Sequence, residues 1–295
     1  MLRKLMRGLG WTLAILLAVV LVLIAWIHHE GRPPHGRAQY VAMGSSFAAG
    51  PAITTRAADS PWFCARSQDN YAHQLARLRQ LSLVDVSCGG ATTRHILGGG
   101  FLMLPPQLDA VTSDTELVTI TIGGNDIDYI GNMMALGCDA STPWYLRRVG
   151  ACRSRSVGRM EQDLRDTALR MGRIVDEIHR RAPKAKVVLV TYQTVLPDQG
   201  TCERLGLSDA QVAQMRDIAD QLADTTRRVA QQHGALLLDA ASLTHGHDVC
   251  AADAWMNGMR PSRGLLGAPL HPTLAAMTAI AQALDALLDQ APPAS

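Results

Sequence analysis

Leu117-Val118-Thr119-Ile120-Thr121-Ile122-Gly123-Gly124-Asn125-Asp126 carries six apolar or β-branched residues straight into two glycines and two short polar side chains. An unbroken run of this kind, closed by a turn signal, predicts a strand buried on both faces over 117–122. Runs of the same character predict further strands at about 40–43, 83–87, 186–191 and 235–239. Between them, Asn70–Leu81, Val157–Arg181, Ser208–Gln232 and Thr273–Asp289 carry apolar residues at helical spacing with charges on the opposite face. Strands alternating with helices imply one five-stranded parallel sheet covered on both sides, a three-layer α/β/α sandwich.

The 295 residues are 47% hydrophobic and 18% charged, enough to bury a core and unlike a disordered chain. One enzyme-sized domain over 39–290 with a short tail, 291–295, accounts for the length, and there is no internal repeat. The net charge of +2 comes from balanced acids and bases, with no Lys/Arg run dense enough to follow a phosphate backbone. A nucleic-acid partner is therefore not expected, and a monomer is.

Outside that domain, Arg3, Lys4 and Arg7 precede an uncharged apolar run from Leu9 to Ile27. At ~1.5 Å per residue it spans roughly 28 Å, close to the ~30 Å hydrocarbon layer of a bilayer. Trp11 and Trp26 stand near its ends, where aromatic side chains suit membrane interfaces. The expectation is a transmembrane anchor over 9–27 with a cytoplasmic segment 1–8, a polar Gly/Pro/His linker over 28–38, and everything beyond on the extracytoplasmic side. A cleaved signal sequence is the rival; its nearest small-x-small site is Gly36-Arg37-Ala38. His28 and His29 would lie at the outer interface.

Cys64, Cys88, Cys138, Cys152, Cys202 and Cys250 all follow the apolar run. An even set in an exported domain predicts three disulfides, and sequence alone allows fifteen connectivities. No C-x-x-C pair is present, so zinc-ribbon and thioredoxin-like readings lack their spacing. Segments 48–66, 126–155 and 240–270, with glycine, proline, cysteine and little periodicity, are expected to be long loops around a site.

In an open parallel sheet, ligands bind outside the carboxyl ends of the strands. Strand one runs into Gly44-Ser45-Ser46-Phe47, strand two into Cys88-Gly89-Gly90-Ala91-Thr92, strand three into Gly123-Gly124-Asn125-Asp126, and His271-Pro272-Thr273 opens the last helix. Together they supply the parts of acyl transfer: a hydroxyl nucleophile, an imidazole to take its proton, and donors for an oxyanion. A glycine N–H approaches a substrate without Cβ obstruction, and an Asn side chain adds a second donor.

Over about 39–289 these four pieces resemble the GDSL, or SGNH, hydrolase family in order and spacing. The resemblance implies Ser46 as nucleophile, His271 as its base, and Ser46, Gly90 and Asn125 as oxyanion donors. It also implies a flavodoxin-like sandwich and no cofactor. The Gly90-Ala91-Thr92-Thr93 segment and the cysteine-bearing loops look most like secreted actinobacterial esterases and lipases, whose disulfides join cysteines in sequence order. That likeness implies Cys64–Cys88, Cys138–Cys152 and Cys202–Cys250.

Two positions depart from the family pattern. Ser45 stands where the family has its namesake aspartate, and Ala268, three residues before His271, where many members have a triad aspartate. The resemblance to the actinobacterial enzymes implies a Ser46–His271 dyad whose imidazole is oriented by the Ala268 carbonyl; Asp248 or Asp253 is the alternative support. The expected activity is hydrolysis of a carboxylic ester of a small molecule or lipid, an enzyme of the carboxylic ester hydrolase class. A cell-wall or polysaccharide O-acyl esterase or acyltransferase, and a non-catalytic surface binding protein, are the alternatives. Gly44-Ser45-Ser46-Phe47-Ala48 also imitates a G-x-S-x-G elbow, but that motif follows several strands rather than the first. His245-Gly246-His247-Asp248 contains ligand-type residues, yet the chemistry above needs no metal and none is expected; Asp126 and Asp128 are read as loop supports.

Overall fold

The structure, a computed structural model, describes residues 2–30, 38–100, 103–139, 142–259 and 268–290. In chain order the elements are α1 (Leu2–Glu30), β1 (Tyr40–Gly44), α2 (Ser46–Ala49), α3 (Tyr71–Arg79), β2 (Leu83–Asp85) and α4 (Thr93–Gly98). A 3-10 turn (Gln107–Ala110) leads to β3 (Leu117–Thr121), α5 (Tyr129–Leu136), α6 (Trp144–Arg148), α7 (Val157–Arg181) and β4 (Lys186–Val190). The chain ends through α8 (Asp209–His233), β5 (Leu236–Leu238), α9 (Ala240–Leu243) and α10 (Leu274–Gln290).

All five strands are parallel, in the order β2-β1-β3-β4-β5. This is the flavodoxin-like order, and its reversal falls between β1 and β3, where such sheets open a crevice at their carboxyl ends. β1 and β3 are buried at every position, as expected for central strands covered on both faces. Val41, Met43, Val118, Ile120, Val187 and Leu189 point to the face held by α4, α7 and α8; Tyr40, Ala42, Val188 and Val190 point to the face held by α3 and α10. Fully burying each such aliphatic side chain is worth about 1.5–3 kcal/mol.

Caps explain why the long helices begin where they do. Ser156 accepts from the Arg159 N–H and so opens α7, which buries Met160, Leu164, Met171, Ile174, Val175 and Ile178 at helical spacing. Ser208 and Gln211 form a reciprocal capping box on α8, and Gly234 in the left-handed region ends it.

The edge strands β2 and β5 are shorter than the sequence suggests. After Asp85 the chain turns, because the Asp85 carboxylate takes the Ser87 N–H (2.9 Å) and Ser87 hydroxyl (2.7 Å). The expected loops also hold short helices, of which α5 buries Tyr129 and Met133 in an apolar cluster with Phe47, Tyr192 and Leu222. The disulfides join Cys64–Cys88, Cys138–Cys152 and Cys202–Cys250, the pairs implied by the resemblance.

Within α1, Gly8–Ile27 is long and apolar enough to cross a membrane, with mean hydropathy 2.6 and none of it buried. α1 runs three residues past Ile27, to Glu30; the expected linker from 31 to 37 and the tail 291–295 lie outside the described residues.

Candidate active site

The end of β1 is built to hold one side chain at a fixed place. Gly44 has φ +138°, and a Cβ there would lie 2.4 Å from the Thr121 carbonyl, so only glycine fits. The buried Gln107 side chain clamps this residue from both sides: Gly44 N–H donates to Gln107 Oε1 (2.8 Å), and Gln107 Nε2 donates to Gly44 O (3.0 Å). Ser45 N–H then donates to Thr121 O (2.9 Å), and Ser46 becomes the first residue of α2, whose first turn leaves backbone N–H groups without intrahelical partners.

Ser46 Oγ lies 2.7 Å from His271 Nε2, across 225 residues of sequence. The other ring nitrogen, Nδ1, donates to the Pro269 carbonyl at 2.6 Å. That bond fixes the tautomer with Nε2 unprotonated, so Nε2 accepts the Ser46 hydroxyl proton. Burial lowers the imidazole pKa from 6.5, with the Pro269 carbonyl acting in the opposite sense, which keeps the ring neutral near pH 7. Phe47 packs on the ring with centroids 5.1 Å apart.

The supporting carbonyl is therefore that of Pro269 and not that of Ala268. Ala268 O accepts the backbone N–H of His271 (3.3 Å), and Leu270 between them has φ +57°, which turns the chain so that the next carbonyl meets the ring. The His271 carbonyl is held by two donors of buried Asn257, its N–H (2.9 Å) and its Nδ2 (3.1 Å). Neither alternative aspartate is bonded to the imidazole: Asp248 accepts from the Cys250 N–H (2.7 Å) and Asp253 from Trp255 Nε1 (3.2 Å).

The two remaining expected donors stand on adjoining loops. Gly90 has φ +83°, and the residue before it donates its N–H to the Cys64 carbonyl (3.1 Å). Asn125 donates from Nδ2 to the Ala91 carbonyl (2.9 Å), which occupies one of its two amide protons. A buried polar node ties these loops together. Asp126 accepts from the Thr93 N–H (2.9 Å) and Thr93 hydroxyl (2.5 Å), and Arg170 donates to Thr93 Oγ1 (2.7 Å) and Asp126 (3.3 Å).

Ser45, in place of the namesake aspartate, is fully buried and bonded to the Tyr192 hydroxyl at 2.7 Å. Tyr192 in turn needs Gly124, where a Cβ would lie 2.5 Å from its ring. Burial raises the Tyr192 pKa far above 10.0, so the pair is neutral. Gln107, Tyr192, Asn257 and Arg170 escaped the sequence reading. A serine at an aspartate position was a faint sign that a neutral partner such as Tyr192 faces it.

His245 pairs with Asp198 (2.9 Å) while His247 stacks on Trp255 with centroids 3.8 Å apart, so they serve different partners. Among the described residues no group of three or more His, Cys, Asp or Glu is placed to hold a metal ion.

A serine hydroxyl bonded to a neutral imidazole at the switch point of a flavodoxin-like sheet, beside donors on two adjoining loops, defines a hydrolase built for acyl transfer. Residues 42–279 match the GDSL-like lipase/acylhydrolase family. The chain belongs to that family and is a carboxylic ester hydrolase. Lipase 2 of Streptomyces coelicolor is 30% identical over 239 residues, 79% of this chain and 80% of that protein. A lipase of Streptomyces rimosus is 28% identical over 257 residues, 87% of this chain and 90% of the relative. The crystal structure of an extracellular lipase from Streptomyces rimosus superposes with a TM-score of 0.70 at 26% identity, over 84% of this chain and 98% of that one. A phospholipase A1 from Streptomyces albidoflavus shares the fold with the same TM-score at 24% identity, over 84% and 98% of the two chains.

Proposed function

We infer that the protein is an anchored extracytoplasmic serine esterase that cleaves acyl esters of lipid type through an acyl-enzyme. Ser46 Oγ attacks the ester carbonyl as His271 Nε2 takes its proton. The oxyanion collects N–H groups of Ser46, Gly90 and Asn125, and the imidazolium returns the proton to the leaving alcohol. Water then repeats the sequence on the acyl-serine. The Pro269 carbonyl orients the imidazole in place of a carboxylate.

The observation that carries this reading is the 2.7 Å Ser46–His271 bond continued at 2.6 Å to Pro269. The S. coelicolor and S. rimosus lipases support the acyl-ester substrate class. The Gly8–Ile27 helix and the three disulfides support a domain over 39–290 held outside the cytoplasm.

Ser46→Ala tests it. Turnover of p-nitrophenyl esters should fall by roughly four to six orders of magnitude, and fluorophosphonate labelling should vanish, with the thermal midpoint unchanged. Substantial turnover in a folded Ser46→Ala protein removes Ser46 from the mechanism.

A further inference from the structure

The loop closed by Cys138–Cys152 presents to solvent the kind of side chains a globular surface usually hides. α6 buries none of its residues: Trp144 is 70% exposed, Tyr145 54% and Leu146 38%, and Val149, just past it, 78%. This is not fraying. Leu146 and Arg147 N–H donate to Pro143 O, Val149 N–H to Tyr145 O and Ala151 N–H to Leu146 O, so the apolar side chains stand on an ordered, disulfide-closed platform.

The charge of this platform is mainly positive, with Asp139 the one acid between Cys138 and Cys152. From 140 to 160 there are five arginines and no acid. Arg155 and Arg159 are neutralised by Asp128 and Asp163, and Arg147 donates to the Asp139 carbonyl. Among the described residues no ion pair engages Arg148 or Arg153. The loop lies in the β3–α7 crossover, which begins at Gly123-Gly124-Asn125 and so leaves the sheet at the candidate active-site end.

We propose that Trp144, Tyr145, Leu146 and Val149, with Arg148 and Arg153, form a docking element for an anionic phospholipid bilayer. Aromatic and aliphatic side chains on a short rigid projection, flanked by uncompensated cations, match the headgroup boundary, where such elements insert about 5–10 Å. A protein partner fits less well, because a stable interface takes about 800 Å² per side and this projection is a single short turn of helix. The tether is compatible: the segment from Glu30 to Ala38 reaches no more than about 30 Å even fully extended, against a domain diameter of about 45 Å for this chain length. Docking through α6 lays the domain on its flank, with the Ser46 end opening along the membrane. The inference rests on the membrane anchorage proposed above for proximity and is independent of ester turnover.

The full chain in nanodiscs of phosphatidylcholine, and of phosphatidylcholine with 30% phosphatidylglycerol, separates these claims. Copurification with discs reports the anchor, and millisecond hydrogen exchange of 142–153 reports docking. The expected result is exchange at least fivefold slower in the anionic discs. Each of 0.5 M NaCl, Arg148→Gln/Arg153→Gln and Trp144→Ser/Tyr145→Ser should return it to the neutral-disc rate, since each surface cation contributes about fivefold. Turnover of a soluble p-nitrophenyl ester by these variants should match the parent, which checks their folding. Equal exchange in both discs overturns the proposal, as does slowing that survives both double substitutions. Protection that grows with protein concentration in neutral discs overturns it in favour of a second copy of the chain.

Discussion

Asn125→Ala separates chemistry from architecture at the site. Asn125 Nδ2 has two protons, one donated to the Ala91 carbonyl at 2.9 Å and one that the proposed mechanism gives to the oxyanion. Losing an oxyanion donor costs about 10²–10³ in kcat, or roughly 2.7–4 kcal/mol at the transition state. Losing the strut to Ala91 costs about 0.5–1.5 kcal/mol of stability, a fall of about 1–6 °C in a domain of this size. Thr93→Val is the matching control, because it removes the Thr93–Asp126 bond (2.5 Å) and the Arg170–Thr93 bond (2.7 Å) but keeps Asn125. It should lower the thermal midpoint at least as much while kcat stays within about tenfold. Steady-state turnover of p-nitrophenyl butyrate beside differential scanning calorimetry reads both quantities. If Asn125→Ala keeps kcat within about tenfold, or Thr93→Val loses as much, Asn125 is a strut and no donor to the oxyanion.

Other consequences are as direct. Burial lowers the His271 pKa, so the imidazole stays neutral to a lower pH than a free histidine, and the acid limb of kcat/KM should have its midpoint below 6.5; a midpoint above 7 contradicts the environment described. Tyr192→Phe strips the buried Ser45 hydroxyl of its 2.7 Å partner and should cost about 1–3 kcal/mol in denaturant unfolding. Ser45→Ala added to it should recover part of that loss, and additivity of the two would rule out the bond. Gln107→Ala leaves the Gly44 N–H and one of its carbonyl bonds unmet, which should lower stability by about 2–3 kcal/mol and kcat with it; unchanged kcat would show that Gly44 holds its place without the clamp.

The sheet was legible because its central strands are nearly unbroken apolar runs, and α7 because Ser156 caps a clean helical stripe that ends on Arg180 and Arg181. Ser46, Gly90, Asn125 and His271 could be singled out because each follows a strand or opens a helix, and the resemblance ordered them. The support of His271 was missed by one residue for a physical reason. Which carbonyl meets Nδ1 depends on the left-handed φ of Leu270, a conformation no leucine announces. Gln107 and Tyr192 were invisible for another: their partners lie 63 and 147 residues away, and they sit at the edges of elements where no periodicity marks them.

The Cys64–Cys88 bridge also bears on how the candidate site is held together. Cys88 immediately precedes Gly89-Gly90, and its partner Cys64 offers its carbonyl to the Gly89 N–H at 3.1 Å, so one covalent link joins the segment after α2 to the strand end that carries Gly90. Without this bridge, the Gly89–Cys64 hydrogen bond would remain as the local tie between the two segments. Ester turnover that falls when this bridge alone is reduced, with the fold retained, would mark the disulfide as part of the site's assembly.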